Sequence, residues 1–470
     1  MPSIKSAIEK KRKMNKTASA SVWYIASSLL ARGIAFLFTP IFTRVLSPSE
    51  YGIYSLYVSL MGVFTVLTTF QMSGNVIYRG FARFDGERRG EFLSSALGAQ
   101  GVLSGALILL ILAFGDSLSK ITSLDTGLTV ILIMQIFLTG VEGFYLAECR
   151  YDGRYRTVAK INFSTGIITP LLSLFLIRLG LGGYARIISP LLISLAVAIP
   201  IAVKIIRGGR KLIWLDGWRY LFKMTLPMLP HFIALSVIAQ SDKIIVARTL
   251  GEGALGKYGA AYSIGFILSY VGSAFTIALS PWIIKKMKLG MGKEVRECVF
   301  SVGKMIGYAT LLFLAVLPEL FRLAVPAEYR EALPVAYLTA LSVLFSFLSS
   351  VITICILHYE KPMLITKNSL TVAAVTVPLS YLLTVKVGFT GAAIYTFLAY
   401  AMLFFLNLRA LEKIEAKSPK VKFGLQITLF LIFSALLFLL RISFIARLIC
   451  ACAVILLALP ELKECKKLLF

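Results

Sequence analysis

Fourteen apolar windows, each about twenty residues long, take up most of a 470-residue chain, and very few folds tolerate that pattern. They fall near 19–43, 52–77, 92–114, 126–147, 158–179, 183–206, 224–247, 258–282, 299–320, 333–357, 364–386, 389–408, 421–440 and 444–460. A hydrocarbon core about 30 Å thick needs roughly 20 apolar residues per crossing helix. With 58% hydrophobic and only 15% charged residues, a water-soluble domain of this length would expose large apolar patches. The expected fold is therefore an all-α polytopic membrane protein with fourteen transmembrane helices. Gly and Pro inside several windows fit packed membrane helices, whose neighbours satisfy freed backbone groups.

The net charge of +26 raises nucleic acid as a partner, but the Lys and Arg residues sit in short loops between apolar runs and build no basic domain. The charge instead predicts topology. With the N-terminus inside, 35 of the 49 Lys and Arg residues fall in inner segments, 11 in outer loops and three within spans. That alternation predicts N- and C-termini on the cytoplasmic side of a cytoplasmic (inner) cell membrane. The basic segment Lys5 to Lys16 precedes the first window without a small-residue cleavage signature, so a retained span is expected rather than a cleaved signal peptide.

A short pattern occurs twice. Arg44, Leu46, Gly52, Tyr54 and Ser59 reappear, 204 residues later, as Arg248, Leu250, Gly256, Tyr258 and Ser263. A second echo links Lys160, Gly180, Gly183 and Ala185 to Lys367, Gly388, Gly391 and Ala393. Duplication of a membrane unit follows. The expected organisation is an N-lobe over 1–207 (spans 1–6), a pseudo-symmetric C-lobe over 208–411 (spans 7–12), and two extra spans over 412–470. Many transporters hold substrate between repeated halves and rock one against the other.

Enzyme chemistry finds little support. No segment is long enough for a nucleotide-binding domain, and no GxxxxGK[ST] loop is present. The two histidines, His231 and His358, cannot make a metal centre, and the six cysteines match neither a zinc site nor a disulfide framework. No cofactor is expected apart from a coupling ion, H+ or Na+, and no metal site or catalytic residue.

Ionisable groups inside the bilayer are the sharper signal, since each costs roughly 2.5 to 3.5 kcal/mol at a helix centre on insertion scales. Arg32 lies near the middle of the first span, on a stripe with Ser21, Tyr24, Ser28, Thr39 and Thr43. It reads as a cation facing a phosphate, whose oxygens match the guanidinium fork, or as one half of a buried pair with Glu142 or Asp242. The seventh span carries Gln240 and Lys243 on one face, with Asp242 beside them. Lys243 contacts substrate or snorkels outward, with Asp242 as its local partner or as a cap. Lys304 poses the same choice at the inner side. Glu142 and His231 are ion-coupling candidates; an interfacial carboxylate and a hydrogen-bonded helix histidine are the plainer readings. Hydroxyl rows Ser59, Thr65, Thr69 and Ser263, Ser269, Ser273 read as interhelical hydrogen bonding or as a wall for sugars. Asn75 and Arg79 close the second span on the cytoplasmic side, where Arg79 also fits a topology signal.

The run ARGIAFLFTPIFTRVLSPSEYGIYSLY with SGNVIYRGFARF, and later LPMLPHFIALSVIAQSDKIIVARTLGEGALGKYGAAYSI, resembles the polysaccharide transporter family. That family includes the O-antigen-type flippases of the multidrug/oligosaccharidyl-lipid/polysaccharide exporter superfamily. The resemblance implies a flippase of the cell envelope, which moves a polyprenyl phosphate- or diphosphate-linked oligosaccharide from the cytoplasmic to the outer leaflet by alternating access through a cationic cavity. It implies cavity roles for Arg32, Arg79, Asp242 and Lys243, membrane lipids as surroundings, and a polysaccharide polymerase or glycosyltransferases of the same pathway as partners. Three rivals stay open. A cation-coupled multidrug exporter would be expected to have twelve spans and acidic cavities. A peptidoglycan-precursor lipid flippase suits fourteen spans equally well, and a polytopic glycosyltransferase would need a sizeable acidic loop that this chain lacks.

Overall fold

The computed structural model describes Gly33, residues 37–414 and residues 420–469. The first predicted span, 19–43, therefore lies largely outside the described residues; its end, 37–45, is helical. The helices that follow are α1 (Pro48–Thr69), α2 (Asn75–Arg83), α3 (Glu87–Thr122), α4 (Thr126–Tyr151), α5 (Tyr155–Leu176), α6 (Ala185–Gly209), α7 (Leu215–Thr225), α8 (Leu229–Gly265), α9 (Leu268–Lys288), α10 (Gly292–Ala324), α11 (Leu333–His358), α12 (Pro362–Val387), α13 (Phe389–Ile414), α14 (Lys420–Leu439) and α15 (Phe444–Leu469). Ten helical stretches among the described residues are long and apolar enough to cross a membrane. One of them, Tyr155–Gly209, holds two predicted windows. The chain is an all-α, multi-span membrane protein.

Several windows are broken where hydropathy alone shows no seam. The second ends at Thr69, and Phe70 (φ 44°) and Gln71 (φ 56°) then turn through the left-handed region before α2. Local bonds hold this turn: Thr69 Oγ1 donates to Thr65 O (2.7 Å) and accepts from Gln71 N–H (3.2 Å). The seventh window opens with α7, a 3-10 turn at Leu226–Met228, and then α8. The eighth is interrupted at Phe266 and Ile267, between α8 and α9.

The described chain divides into two compact units, residues 1–42 with 56–233, and residues 43–55 with 234–470. The border falls inside the seventh predicted span, so the amphipathic α7 belongs to the first unit. There α7 adds Leu221 to a core of Ile77, Phe81, Phe92, Leu97 and Phe144. Aromatic faces and edges close this end: Phe84 stacks on Phe92 (5.1 Å) and meets Trp214 (5.0 Å) and Tyr220 (5.5 Å) edge-on. Backbone contact supplies the rest. A Cβ on Gly98 would lie 2.0 Å from Leu212 O, and Ser94 Oγ and Trp218 Nε1 donate across the same seam to Lys211 O and Ser95 O (both 2.8 Å). Lipid tails are as apolar as the helices they surround, so close packing of small residues and hydrogen bonds must hold membrane helices together.

The second unit contains both copies of the repeated turn, and its geometry follows the 204-residue offset. In the first copy the helix over 37–45 ends and α1 starts at Pro48. Ser47 and Glu50 form a reciprocal cap: Ser47 N–H donates to Glu50 Oε2 (2.9 Å), and Glu50 N–H donates to Ser47 Oγ (3.3 Å). In the second copy Gly251, at the position equivalent to Ser47, breaks α8 with φ 84°. The two starts then cross with their backbones touching. A Cβ on Gly52 would sit 1.9 Å from Glu252 O, and one on Gly256 would sit 1.8 Å from Pro48 O. Gly52 and Gly256 are equivalent in the repeat, as are Pro48 and Glu252, so one contact is made twice about a local two-fold axis.

The last helix is fixed by charge. Arg447, 2% exposed, forms a forked pair with Glu319, donating to Oε2 at 2.8 Å and to Oε1, and also donates to Ala315 O (3.0 Å). At the other end of the same helix pair, Lys304 Nζ meets Glu461 Oε1 at 2.6 Å.

Candidate functional site

Gly251 lets the second segment of α8 fold back on the first, and this hairpin brings Tyr258 over Asp242 and Lys243. Asp242 is 1% and Lys243 7% exposed, inside a stretch of membrane length. Neighbours on a helix point about 100° apart, yet the two side chains meet, because the long lysine stem bends toward the helix N-terminus. Its Nζ donates to Ala239 O (2.9 Å) and to Asp242 Oδ1 (3.2 Å). The ammonium also lies 3.6 Å from the centroid of the Tyr262 ring, a cation–π contact strengthened by desolvation.

The carboxylate is held from three directions. Oδ1 accepts the backbone N–H of Lys243 (2.8 Å) besides the ammonium. Oδ2 accepts the Tyr258 hydroxyl (2.6 Å) and the Thr396 hydroxyl of α13 (2.9 Å). Tyr400, one turn further along α13, is close enough to interact electrostatically with Asp242 and Tyr262. Each charge is matched by the other and by well-placed dipoles, the condition under which a bilayer interior tolerates ionic groups. Tyr258 belonged to the repeated pattern and Thr396 to an apolar run. Nothing in the sequence tied either to Asp242, which has Phe38 at its equivalent position in the first copy.

The other predicted site residues are scattered. Arg32 lies outside the described residues, as does the side chain of Asn75, whose backbone opens α2. Arg79 is exposed on α2, and Gln240 is half-buried on α8. Lys304 is engaged with Glu461 and lies 4.8 Å from the Phe300 ring. In the first unit, Glu142 is half-buried on α4, two turns beyond Gln135, which itself accepts the Tyr57 hydroxyl (2.7 Å). His231 is buried at 8%, with its ring 5.6 Å from that of Phe232. Of the named residues, Asp242 and Lys243 are joined to each other by an ion pair.

In the hydroxyl rows, Thr65, Thr69, Ser263 and Ser273 each donate to the carbonyl four residues earlier in their own helix, at 2.6, 2.7, 2.8 and 2.7 Å. Back-bonding of this kind uses the hydroxyl proton within one helix and leaves the oxygen able to accept a further hydrogen bond. A separate network, Asn368 to Asn407 (2.9 Å) and Asn407 to Ser349 (2.9 Å), ties α11, α12 and α13. Among the described residues no cluster of three or more His, Cys, Asp or Glu could hold a metal ion.

The fold is shared with known transporters. It matches an inward closed lipid II flippase MurJ with TM-score 0.70 and 13% identity, over 93% of this chain and 97% of that one. It also matches the inward-facing multidrug resistance MATE family transporter of the MOP superfamily, with TM-score 0.64 and 15% identity, over 83% and 96% of the two chains. A MOP superfamily transporter from Pyrococcus furiosus matches with TM-score 0.53 and 14% identity, over 84% and 95%. No curated protein matches by sequence. The family model described as "Polysaccharide biosynthesis protein" matches residues 18–287, more than half of the chain. The chain belongs to the polysaccharide biosynthesis protein family and has the fold seen in these MOP transporters.

Proposed function

We propose that this protein flips a polyprenyl phosphate- or diphosphate-linked oligosaccharide from the cytoplasmic to the outer leaflet by alternating access. In this reading fourteen spans with both termini in the cytoplasm form an N-lobe over 1–207, a C-lobe over 208–411 and a pair of extra spans over 412–470. The observation that carries it is Lys243, an ammonium kept inside a membrane-length helix of a polysaccharide-biosynthesis protein at an insertion cost of roughly 2.5 to 3.5 kcal/mol. A lipid-linked glycan has an anionic head too polar for hydrocarbon and a tail that can stay in lipid. Its carrier therefore needs a few cations within the bilayer that bind the phosphates loosely enough to release them.

Arg32 and Lys243 are the substrate-facing cations of this reading; Asn75, Arg79, Gln240 and Lys304 are secondary contacts, and Glu142 and His231 are candidates for coupling to H+ or Na+. A polymerase or glycosyltransferases would supply and consume the substrate. The test is reconstitution in liposomes that carry a fluorescent lipid-linked glycan, with leaflet exposure read by an impermeant quencher. The parent protein should transfer the lipid, and Arg32→Ala and Lys243→Met should slow it at least tenfold. Transfer of a peptidoglycan precursor or a cationic drug, with none of the glycan lipid, would replace this reading with one of its rivals.

A further inference from the structure

Two unlike attachments hold the buried ion pair, and the difference gives the pair a direction of movement. Asp242 is anchored by two hydroxyls on other segments, Tyr258 and Thr396, and by a backbone N–H. Lys243 is held by weaker ties: its contact with Asp242 is the longest of those around the carboxylate at 3.2 Å, and its ammonium otherwise meets Ala239 O (2.9 Å) of its own helix and the face of the Tyr262 ring (3.6 Å). It sits on a flexible four-carbon stem whose rotation can release these contacts, and its side chain is 9% exposed against 2% for Asp242. An anion arriving at this site thus meets an ammonium that can turn toward it and a carboxylate that cannot follow.

We propose that Asp242 and Lys243 form a charge-exchange site: the phosphate of the substrate takes over the Lys243 ammonium, and Asp242 takes up one proton from water in its place. This rests on the flippase reading above and adds a proton stoichiometry to it. Among the described residues, the groups that face Asp242 once the ammonium has left are Tyr258 and Tyr262 from the second segment of α8 and Thr396 and Tyr400 from α13, all uncharged. A carboxylate among these groups, 1% exposed, is costly to keep ionised. Protonation removes the charge: the carboxylate and one H+ become a carboxylic acid, and no other bond changes. The Tyr258 and Thr396 hydroxyls can still donate to its carbonyl oxygen, so the acid stays in place. While the headgroup is bound, the proton cancels one of its negative charges; when it leaves, Lys243 returns and the proton is released.

Linkage gives the measurable consequence. If binding takes up one proton, affinity falls tenfold per pH unit over the range in which free Asp242 is ionised and bound Asp242 is not. The probe is a farnesyl diphosphate-linked N-acetylglucosamine, whose phosphates carry no proton that titrates near neutrality. It is added to the full-length protein in detergent, and calorimetry in two buffers of different ionisation heat counts the protons. The expected result is about one proton taken up per ligand bound by the parent. Asp242→Asn should bind without uptake. Thr396→Val, which takes one donor from the carboxylate, should keep the uptake and move its midpoint to higher pH. Binding by the parent with no proton uptake, or equal uptake by parent and Asp242→Asn, overturns the proposal and makes the pair a structural staple. If Asp242→Asn does not fold, an unmoved midpoint in Thr396→Val overturns it instead. Failure of the parent to bind the probe at all would remove the flippase reading, and this inference with it.

Discussion

Replacing Gly52 by alanine tests the crossing of the two repeated helix starts. The new methyl would lie 1.9 Å from Glu252 O and 2.7 Å from Glu252 C, whereas ordinary contact begins near 3.4 Å. Both obstacles are backbone, so no side chain can swing away, and the helices must part by about 1.5 Å to restore normal contact. Overpacking of this kind costs about 1 to 3 kcal/mol, and the intrinsic preference of helices for Ala over Gly returns up to about 1 kcal/mol. A net loss of about 1 to 2 kcal/mol is expected, read as a lower midpoint of thermal unfolding in detergent. Gly256→Ala meets Pro48 O at 1.8 Å and should lose a similar amount. The double variant should lose less than the two single losses combined, because one separation of the helices accommodates both methyls. Gly105→Ala, with nothing within 4 Å of its new methyl, is the control and should be neutral or stabilising. Equal midpoints for Gly52→Ala and Gly105→Ala would show that the backbones do not touch as described.

Other expectations follow from single contacts. Glu319→Ala strands the guanidinium of Arg447 and should cost about 3 kcal/mol, measured by thermal unfolding; Arg447→Met removes the more deeply buried charge and should cost less, because the side chain of Glu319 is 30% exposed against 2% for Arg447. Lys304→Gln breaks the ion pair with Glu461 and should lower stability, and as a secondary contact it should slow lipid transfer less than Lys243→Met does; transfer equal to the parent's would take Lys304 out of the substrate path. Ser47→Ala removes both the side-chain acceptor and the donor of the cap at α1 and should cost about 1 kcal/mol. Gly251→Ala forces a side chain to φ 84° and should cost about 1 to 2 kcal/mol, again by thermal unfolding.

The helices were legible because a bilayer imposes one length and one composition on every crossing segment, so the hydropathy windows cover the ten stretches of the described residues that are long and apolar enough to cross. The interruptions were not. Phe70 and Gln71 take left-handed conformations that their side chains do not advertise, and the break at Phe266–Ile267 follows Gly265, which nothing in the sequence sets apart from the other glycines inside the apolar windows. The 3-10 turn at Leu226–Met228 falls at the double proline of LPMLP, which the seventh window, 224–247, also ran through. Within the site, Lys243 and Asp242 were visible as charges in an apolar window, but their pairing was ambiguous at adjacent helical positions. Thr396 lies 154 residues from its partner, and no local pattern encodes so distant a hydrogen bond. The partner of Lys304 was hidden for the same reason: its counter-charge, Glu461, comes 157 residues later in a stretch read as the inner tail. The repeat did foretell structure, since residues matched at one offset fold into matching turns and touch.

The two ion pairs that fasten α15 to α10 have opposite polarity. The base lies on α10 at the Lys304–Glu461 end and on α15 at the Glu319–Arg447 end. Only an antiparallel pairing in one register satisfies both, because sliding by a turn or reversing direction would separate the partners or set like charges together. α15 leaves the ribosome after α10, so until it docks, Lys304 and Glu319 wait without these counter-ions. The docking of α15 is thereby written into the charge pattern, and a variant truncated before Phe444 would display two unmatched ionic groups to any quality-control protease that samples membrane helices.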